Sequence, residues 1–462
     1  MLQIEGYDFN SGIHKFQFND YRILLDVNSG SVHLIDEITW DLLDALEQTR
    51  GNWLQARQAL EKKYSVGEIE EVGAELQQLK NERVLFSFDD VPERINHDEP
   101  VVKSLCLNVA HDCNLRCAYC FGTTGNFGGP RGLMPLEVGQ AAVDFLIAHS
   151  KARRHCEIDF FGGEPLLNMA VVKEIIAYAR QRGRETNKEF RFTLTTNGTL
   201  LNSENQQYLN DEQVSVVLSL DGRKAVHDRL RVKANGSGTY QELLPLLLEF
   251  VASRGYQNYY IRGTYTRYNL DFAEDVKHLV GLGFDQISLE PVVAPAGTNY
   301  GLRLDDLPRL FAEYTELTRY YEETRKQGRP FTFFHFNLDL ERGPCLPKRL
   351  SGCGAGHEYL AITPTGDIYP CHQFIGREGY KMGNLLEGGL VRTDLVAIFR
   401  GADIYRKPAC RQCWARFYCS GGCHANAVAF NDNIFTPYQL GCALTKKRLE
   451  CAIYLQVLHR LV

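Results

Sequence analysis

No stretch of this 462-residue chain approaches the ~18 consecutive apolar residues of a membrane span. Its first ten residues have neither the basic region nor the apolar core that starts a secretory signal. There is no basic excess: 51 Lys and Arg against 57 Asp and Glu give a formal charge of −6. That leaves no electrostatic footprint for nucleic acid. The basic runs Lys151–Arg154 and Arg180–Arg184 lack interleaved aromatics and read as solvated helix ends. Also missing are the phosphate loop G-x(4)-G-K-[ST], H-E-x-x-H and G-x-S-x-G. Phosphate-loop NTPase, zinc-protease and serine-hydrolase chemistries lose their motif support with them. Hydrophobic residues at 44% and charged residues at 23% exclude disorder and low complexity. The default expectation is a cytoplasmic globular protein with no membrane or nucleic-acid partner.

Cysteine is too sparse for a disulfide scaffold: 14 residues, far below the roughly 8–10% of such chains. Its distribution is uneven. Cys113, Cys117 and Cys120 lie within eight residues, and eight more fall between Cys345 and Cys442. Clustered thiols in a large chain read as metal or redox chemistry.

The hydrophobic pattern divides the chain into three. Residues 1–90 show strand-like runs at 13–18, 21–27 and 31–35, with an Asn28-Ser29-Gly30 turn before the last. Three helices follow: one capped by Asp36, one near 53–64, and one carrying Ile69, Val72, Leu76 and Leu79. Val84–Phe88 is expected to return as a strand. The whole is a winged-helix-like module, and residues 91–103, rich in acid and proline, form a linker. Between 104 and 330 strands alternate with helices. Strands are expected at 104–110, 156–161, 190–196, 214–220, 258–266 and 285–293. Strand–helix repetition implies parallel pairing, and six units are too few for an eight-stranded barrel. The fold class is therefore α/β, with a partial (β/α)6 TIM-like barrel. Polar motifs sit after these strands: Gly162-Gly163-Glu164-Pro165, Asn197, Asp221-Gly222 and Glu290. Residues 331–462 lose the periodicity, are dense in Gly, Pro and Cys, and are expected to need metal centres to organise them until a helix near Leu444.

The first cluster spells C-x3-C-x2-C. Three soft thiolate donors in a short loop suit iron or zinc, and three ligands leave one position open for chemistry. Zinc stays possible on residue grounds, since His111 offers a fourth ligand. The loop, with Tyr119 before its last cysteine, resembles the signature of radical S-adenosylmethionine enzymes, and Gly162–Pro165 resembles that family's GGEP. The C-terminal part resembles the family's SPASM extension. Cys353, twelve residues, Gly366, four residues and Cys371 match one half, and Cys410, Cys413, Cys419, Cys423 and a later Cys442 match the other.

The resemblance implies three [4Fe–4S] clusters plus S-adenosylmethionine. Cys113, Cys117 and Cys120 hold the first, whose fourth iron binds the cofactor. Cys353, Cys371 and Cys423 belong to auxiliary cluster I, which Cys345 either completes or leaves with an open iron. Cys410, Cys413, Cys419 and Cys442 belong to auxiliary cluster II. Tyr119, Gly162, Gly163, Glu164, Asn197, Ser219 and Arg231 become cofactor contacts, and Glu290 a candidate facing substrate. Cys106, Cys156 and Cys451 are left for core packing.

Further stretches, Leu25–His33, Val109–Cys113, Gly352–Tyr359 and Cys419–Cys423, resemble maturases of six-cysteines-in-forty-five (SCIFF) peptides, the ranthipeptide thioether synthases. This implies radical removal of hydrogen from a side-chain carbon and its bonding to a peptide cysteine. The N-terminal module then binds the leader of a ribosomally made precursor, and a flavodoxin or ferredoxin supplies electrons. Rival readings are a carbon–carbon crosslinker, an epimerase, a formylglycine-forming enzyme, and a zinc-organised peptide-binding scaffold.

Overall fold

The structure, a computed structural model, describes residue 2 and residues 4–90, 101–295, 297–340 and 346–461. Most of the expected linker (residues 91–100) and Cys345 lie outside the described residues.

Three antiparallel strands open the chain, β1 (Ile13–Phe18), β2 (Tyr21–Asp26) and β3 (Val32–Ile35), in that spatial order. Helices α1 (Glu37–Gln48), α2 (Trp53–Leu60) and α3 (Val66–Asn81) follow. The Asp36 side chain caps α1 by accepting from Thr39 N, and Ser65 with Glu68 makes a reciprocal capping box on α3. The apolar run Ile23-Leu24-Leu25 has a simple cause: β2 is buried on both faces. Leu24 packs with Leu42, Leu46, Trp53 and Ile69 of the module, while Ile23 and Leu25 join the large core of the barrel and the C-terminal helix. The strand period of two sends alternate side chains to these two cores.

The expected strand at Val84–Phe88 does not form. Phe86 adopts a left-handed φ of +51°, which a ladder strand does not accommodate. Side chains hold the segment instead. Buried Asp26 accepts from Ser87 N and Ser87 Oγ, and His33 Nε2 donates to Val84 O at 2.9 Å.

All six barrel strands appear: β4 (Ser104–His111), β5 (His155–Gly162), β6 (Glu189–Thr196), β7 (Ser215–Ser219), β8 (Tyr259–Tyr265) and β9 (Gln286–Pro291). They pair in parallel in chain order. Helices Leu136–His149, Met169–Thr186, Ser203–Asp211, Tyr240–Ser253, Phe272–Gly281 and Leu307–Lys326 follow the strands. The sheet is open. Beyond β4 it continues through β10 (Tyr359–Ile362), parallel to β4, and then β11 (Asp367–Tyr369), antiparallel to β10.

Two expectations for the C-terminal part need correction. It shares the barrel's sheet and has a core of its own, with Ala361, Cys371, Phe374, Phe399, Ala425 and Ile434 buried together. Short elements of three to eight residues build that core, among them strand Tyr359–Ile362 and helices Thr393–Arg400 and His424–Asn431, and each is too brief to show a sustained sequence period. The last helix, Gln439–Leu461, starts five residues before Leu444, which puts Cys442 in its first turn. The N-terminal module docks on this region. His14 stacks on Trp414 with ring centroids 3.8 Å apart and lies 3.1 Å from Glu450. Arg416 donates to Ser11 O (2.8 Å) and to Asn28 Oδ1. Among the described residues no helix is long and apolar enough to cross a membrane.

Candidate active site

The loop after β4 is fixed by its backbone. Arg116 N donates to Val232 O (2.7 Å), Ala118 N to Leu230 O (2.9 Å), and Arg116 Nη1 to Leu115 O (2.7 Å). Cys113 N donates to Asp112 Oδ1, which is also paired with Arg131. Glycine is required on the facing turn. A Cβ on Gly162 would overlap Ala110 O, and one on Gly163 would overlap Asp112 O and sit 3.0 Å from Cys113 Cβ. Gly163 N and Glu164 N donate to Ala110 O (2.7 Å) and Asp112 O (2.9 Å), so the second strand's turn clasps the cysteine loop.

Glu164 is fully buried and joins three strand ends. Its carboxylate accepts from Leu166 N (3.0 Å), Thr196 Oγ1 (2.7 Å) and Asn197 N (2.8 Å). Burial pushes its carboxyl up to about 7 against the pull of those donors. Asn197 Nδ2 donates to Asn114 Oδ1 at 2.8 Å and lies 3.8 Å from Cys113 Sγ. Burial pushes the thiols of Cys113 and Cys117 up, to about 12 and about 11.

A second network centres on Asp221, which sequence reasoning noted only as a strand-end residue. It is fully buried and accepts from Tyr119 OH (2.6 Å), Arg231 Nε (3.0 Å) and Thr264 N (2.9 Å). Burial opposes charge on Arg231, but Asp221 outweighs it and holds the guanidinium ionised. Arg231 lies in the same segment that pairs with the cysteine loop, so Tyr119, Arg231 and the loop form one unit. Ser219 ends β7 in register with Arg262 of β8.

Glu290 belongs to another cluster. His335 Nε2 is 3.1 Å from its Oε1, and Arg448 of the C-terminal helix is 3.9 Å from Oε2. Burial would raise this carboxyl, but His335, Arg262 and Arg448 hold it below the usual carboxylate range. Among the described residues no hydrogen bond joins this cluster to the cysteine loop.

In the C-terminal part, Cys410, Cys413, Cys419 and Cys442 line one cavity of about 240 Å³ with Ala409, Ala415 and Pro437 among its walls. The lining holds no carboxylate. A pocket walled by four thiols fits an iron–sulfur cluster. Cys371, buried, lies within electrostatic reach of Cys353 and Cys423, so three of the four expected thiols of the other set gather, the fourth being the undescribed Cys345. Every described cysteine is a free thiol. Cys106, Cys156 and Cys451 are buried; Cys106 has Asn108 Nδ2 at 3.9 Å, and Cys451 Sγ donates to Tyr314 O at 3.8 Å. The zinc reading gains nothing. His111, the fourth ligand offered for zinc, stacks on Phe127.

The chain matches the 4Fe-4S single cluster domain over residues 103–241 and the SPASM iron–sulfur cluster-binding domain over residues 353–414. It is 24% identical over 361 residues to a cysteine-type anaerobic sulfatase-maturating enzyme of Clostridium novyi, covering 72% of this chain and 93% of that one. It is 25% identical over 359 residues to a mycofactocin maturase of Mycolicibacterium smegmatis, covering 74% and 83%. Among solved structures, native anSMEcpe with bound AdoMet superposes with a TM-score of 0.63 at 22% identity, covering 77% of this chain and 98% of that one. Streptococcus suis SuiB bound to S-adenosylmethionine gives 0.54 at 18% identity, covering 93% and 98%. The two domain matches and these relatives support a radical S-adenosylmethionine protein with a SPASM domain, related to the anaerobic sulfatase-maturating enzymes and to the mycofactocin maturase.

Proposed function

We propose that this chain is a peptide maturase that joins cysteine thiols to non-alpha carbons of acceptor residues in a ribosomally made, cysteine-rich precursor, as a ranthipeptide synthase of the SCIFF type. The observation that carries the reading is the N-terminal module. Among the described residues its β3 pairs with β2 alone, which leaves the other side of β3 without a strand partner there. A cavity of about 390 Å³ lies beside that edge, lined by Ser29–His33, Val84, Leu340 and Arg460. An extended leader added to β3 would gain main-chain hydrogen bonds, with the cavity taking a side chain. The likeness to SuiB, at 93% of this chain, has to include part of residues 1–90, whereas the first sulfatase-maturating relative spans 72%. A sulfatase substrate does not call for a leader-binding edge.

With its cluster on Cys113, Cys117 and Cys120, the first site would supply one-electron cleavage of S-adenosylmethionine and so hydrogen-atom removal from an unactivated carbon. The surrounding residues keep that site fixed. Gly163 and Glu164 clamp the cysteine loop, Asn197 orients Asn114, and Asp221 holds Tyr119 and Arg231 against it. Arg231 presents a guanidinium suited to a carboxylate such as that of the cofactor. Gly162, Ser219 and Glu290 complete the proposed contacts, Glu290 on the substrate side. Cys353, Cys371, Cys423 and Cys345 would hold one auxiliary cluster and Cys410, Cys413, Cys419 and Cys442 the other. A flavodoxin or ferredoxin is the expected electron donor.

The test is mass spectrometry of a cysteine-rich precursor incubated anaerobically with the reconstituted protein, reductant and S-adenosylmethionine. Two hydrogens are lost per crosslink, and Cys117→Ala abolishes the loss. An unchanged peptide mass with active cofactor cleavage rejects the thioether assignment.

A further inference from the structure

Lys407 is the one lysine side chain fully shut off from solvent among the buried residues, at 0% exposure. Its Nζ donates to a single carbonyl, Gly421 O, at 2.8 Å, and no carboxylate pairs with it among the described residues. Gly421, at a φ of +84°, makes room for it: a Cβ there would sit 3.1 Å from Nζ. Its acceptor Gly421 lies between Cys419 and Cys423 in the chain and lines the 240 Å³ cavity with Cys410, Cys413, Cys419 and Cys442; burial lowers the ammonium's pKa, and Cys410, Cys419 and Cys423 act against that lowering. Asp403 is the only carboxylate among the groups acting on it. An isolated buried cation is costly and persists only where other charge compensates it. Asp403 and, once a cluster is bound, its thiolate ligands would supply that charge.

We propose that Lys407 is a shared counter-ion between the two C-terminal thiol sets, a positioning residue that sets the reduction potential of both auxiliary clusters together. The inference rests on assigning those sets to auxiliary clusters. Cluster potential depends on nearby charge and on hydrogen bonds around the sulfurs. Reduction adds negative charge, so a fixed ammonium stabilises the reduced state and raises the potential of whatever both sets hold. Because Lys407 acts on both, it makes the two neighbouring centres easier to reduce in step. That suits a path for an electron leaving the substrate site.

The experiment is an EPR-monitored redox titration of the full reconstituted chain and of Lys407→Met, which removes the charge at nearly constant volume. In Lys407→Met the reduced-to-oxidised ratio of both auxiliary signals falls about tenfold at fixed poise, 59 mV for one electron, while the cluster on the 113–120 loop does not move. Unshifted auxiliary potentials, a shift in only one of them, or an equal shift in all three overturns the proposal. If Lys407→Met does not load iron, Lys407→Arg decides. Full iron with wild-type potentials supports a charge role, and loss of iron or altered potentials overturns it. A wild-type protein with no auxiliary signal rejects the cluster assignment itself, a different failure from an unshifted variant.

Discussion

Asp221→Asn removes one charge and almost no volume, at the point where three functional elements meet. The carboxylate is fully buried and its partner Arg231 nearly so, with 12% of its side chain exposed. Removing one partner of a buried ion pair leaves an uncompensated charge and costs about 3–5 kcal/mol. At roughly 2–4 °C per kcal/mol for a domain of this size, the barrel's melting temperature falls by about 6–20 °C. Calorimetry of the reconstituted protein measures this. The added variant Arg231→Met removes the orphaned guanidinium, so the double variant recovers at least half of the lost stability. Cofactor cleavage behaves differently. It falls in both single variants and stays low in the double, because Tyr119 and the 230–233 segment that backs the cysteine loop are no longer held. A single variant that melts within about 2 °C of wild type, well short of the shift that 3 kcal/mol requires, refutes the ion-pair argument. So does a double variant with no recovery.

Gly163→Ala forces a methyl against Asp112 O and Cys113 Cβ. Backbone cannot step aside, so we expect a cost of about 1–3 kcal/mol. S-adenosylmethionine cleavage falls by about 100-fold from the displaced cysteine loop, with auxiliary iron retained in elemental analysis; wild-type cleavage contradicts the clamp. His227 is buried, and burial lowers its imidazole to about 4. The unfolded chain, near 6.5, then binds more protons between those values. Stability from this group is complete above 6.5 and is lost as pH falls toward 4, by about 3 kcal/mol at most. Denaturant unfolding at pH 7 and pH 4.5 shows a smaller loss for His227→Gln, which can still bond Thr239; an unchanged loss assigns the acid sensitivity elsewhere.

Regular elements were legible because their burial follows a period. All six barrel strands lie within one residue of their expected bounds, except β9, which ends two residues early at Pro291. Val84–Phe88 misled because its apolar content reflects packing of Leu85 and Phe86 into the module core, not strand pairing. The C-terminal core was invisible because its elements are short: Phe374 ends a three-residue 3-10 turn and Phe399 lies on the eight-residue helix Thr393–Arg400, and they meet only across the fold. At the site, motif residues were readable and their supporting partners were not. Gly163 and Asn197 stood out by position, but Asp221 gained its importance only from the approach of Tyr119, a hundred residues earlier, and Arg231. Lys407 carried no sequence signal at all.

By itself the sequence determined the parallel α/β scaffold and the clustering of its cysteines, since periodicity and spacing are local properties; the sorting of those cysteines into sets is what the family resemblance implies. Tertiary structure alone decided that β10 extends the barrel sheet, that the N-terminal strands rest on the loop bearing Cys413 and Cys419, and that Lys407 is buried with its ammonium on Gly421 O. Each of these depends on which distant segments exclude water from one another, and burial of that kind is a property of the folded surface, not of any stretch of chain.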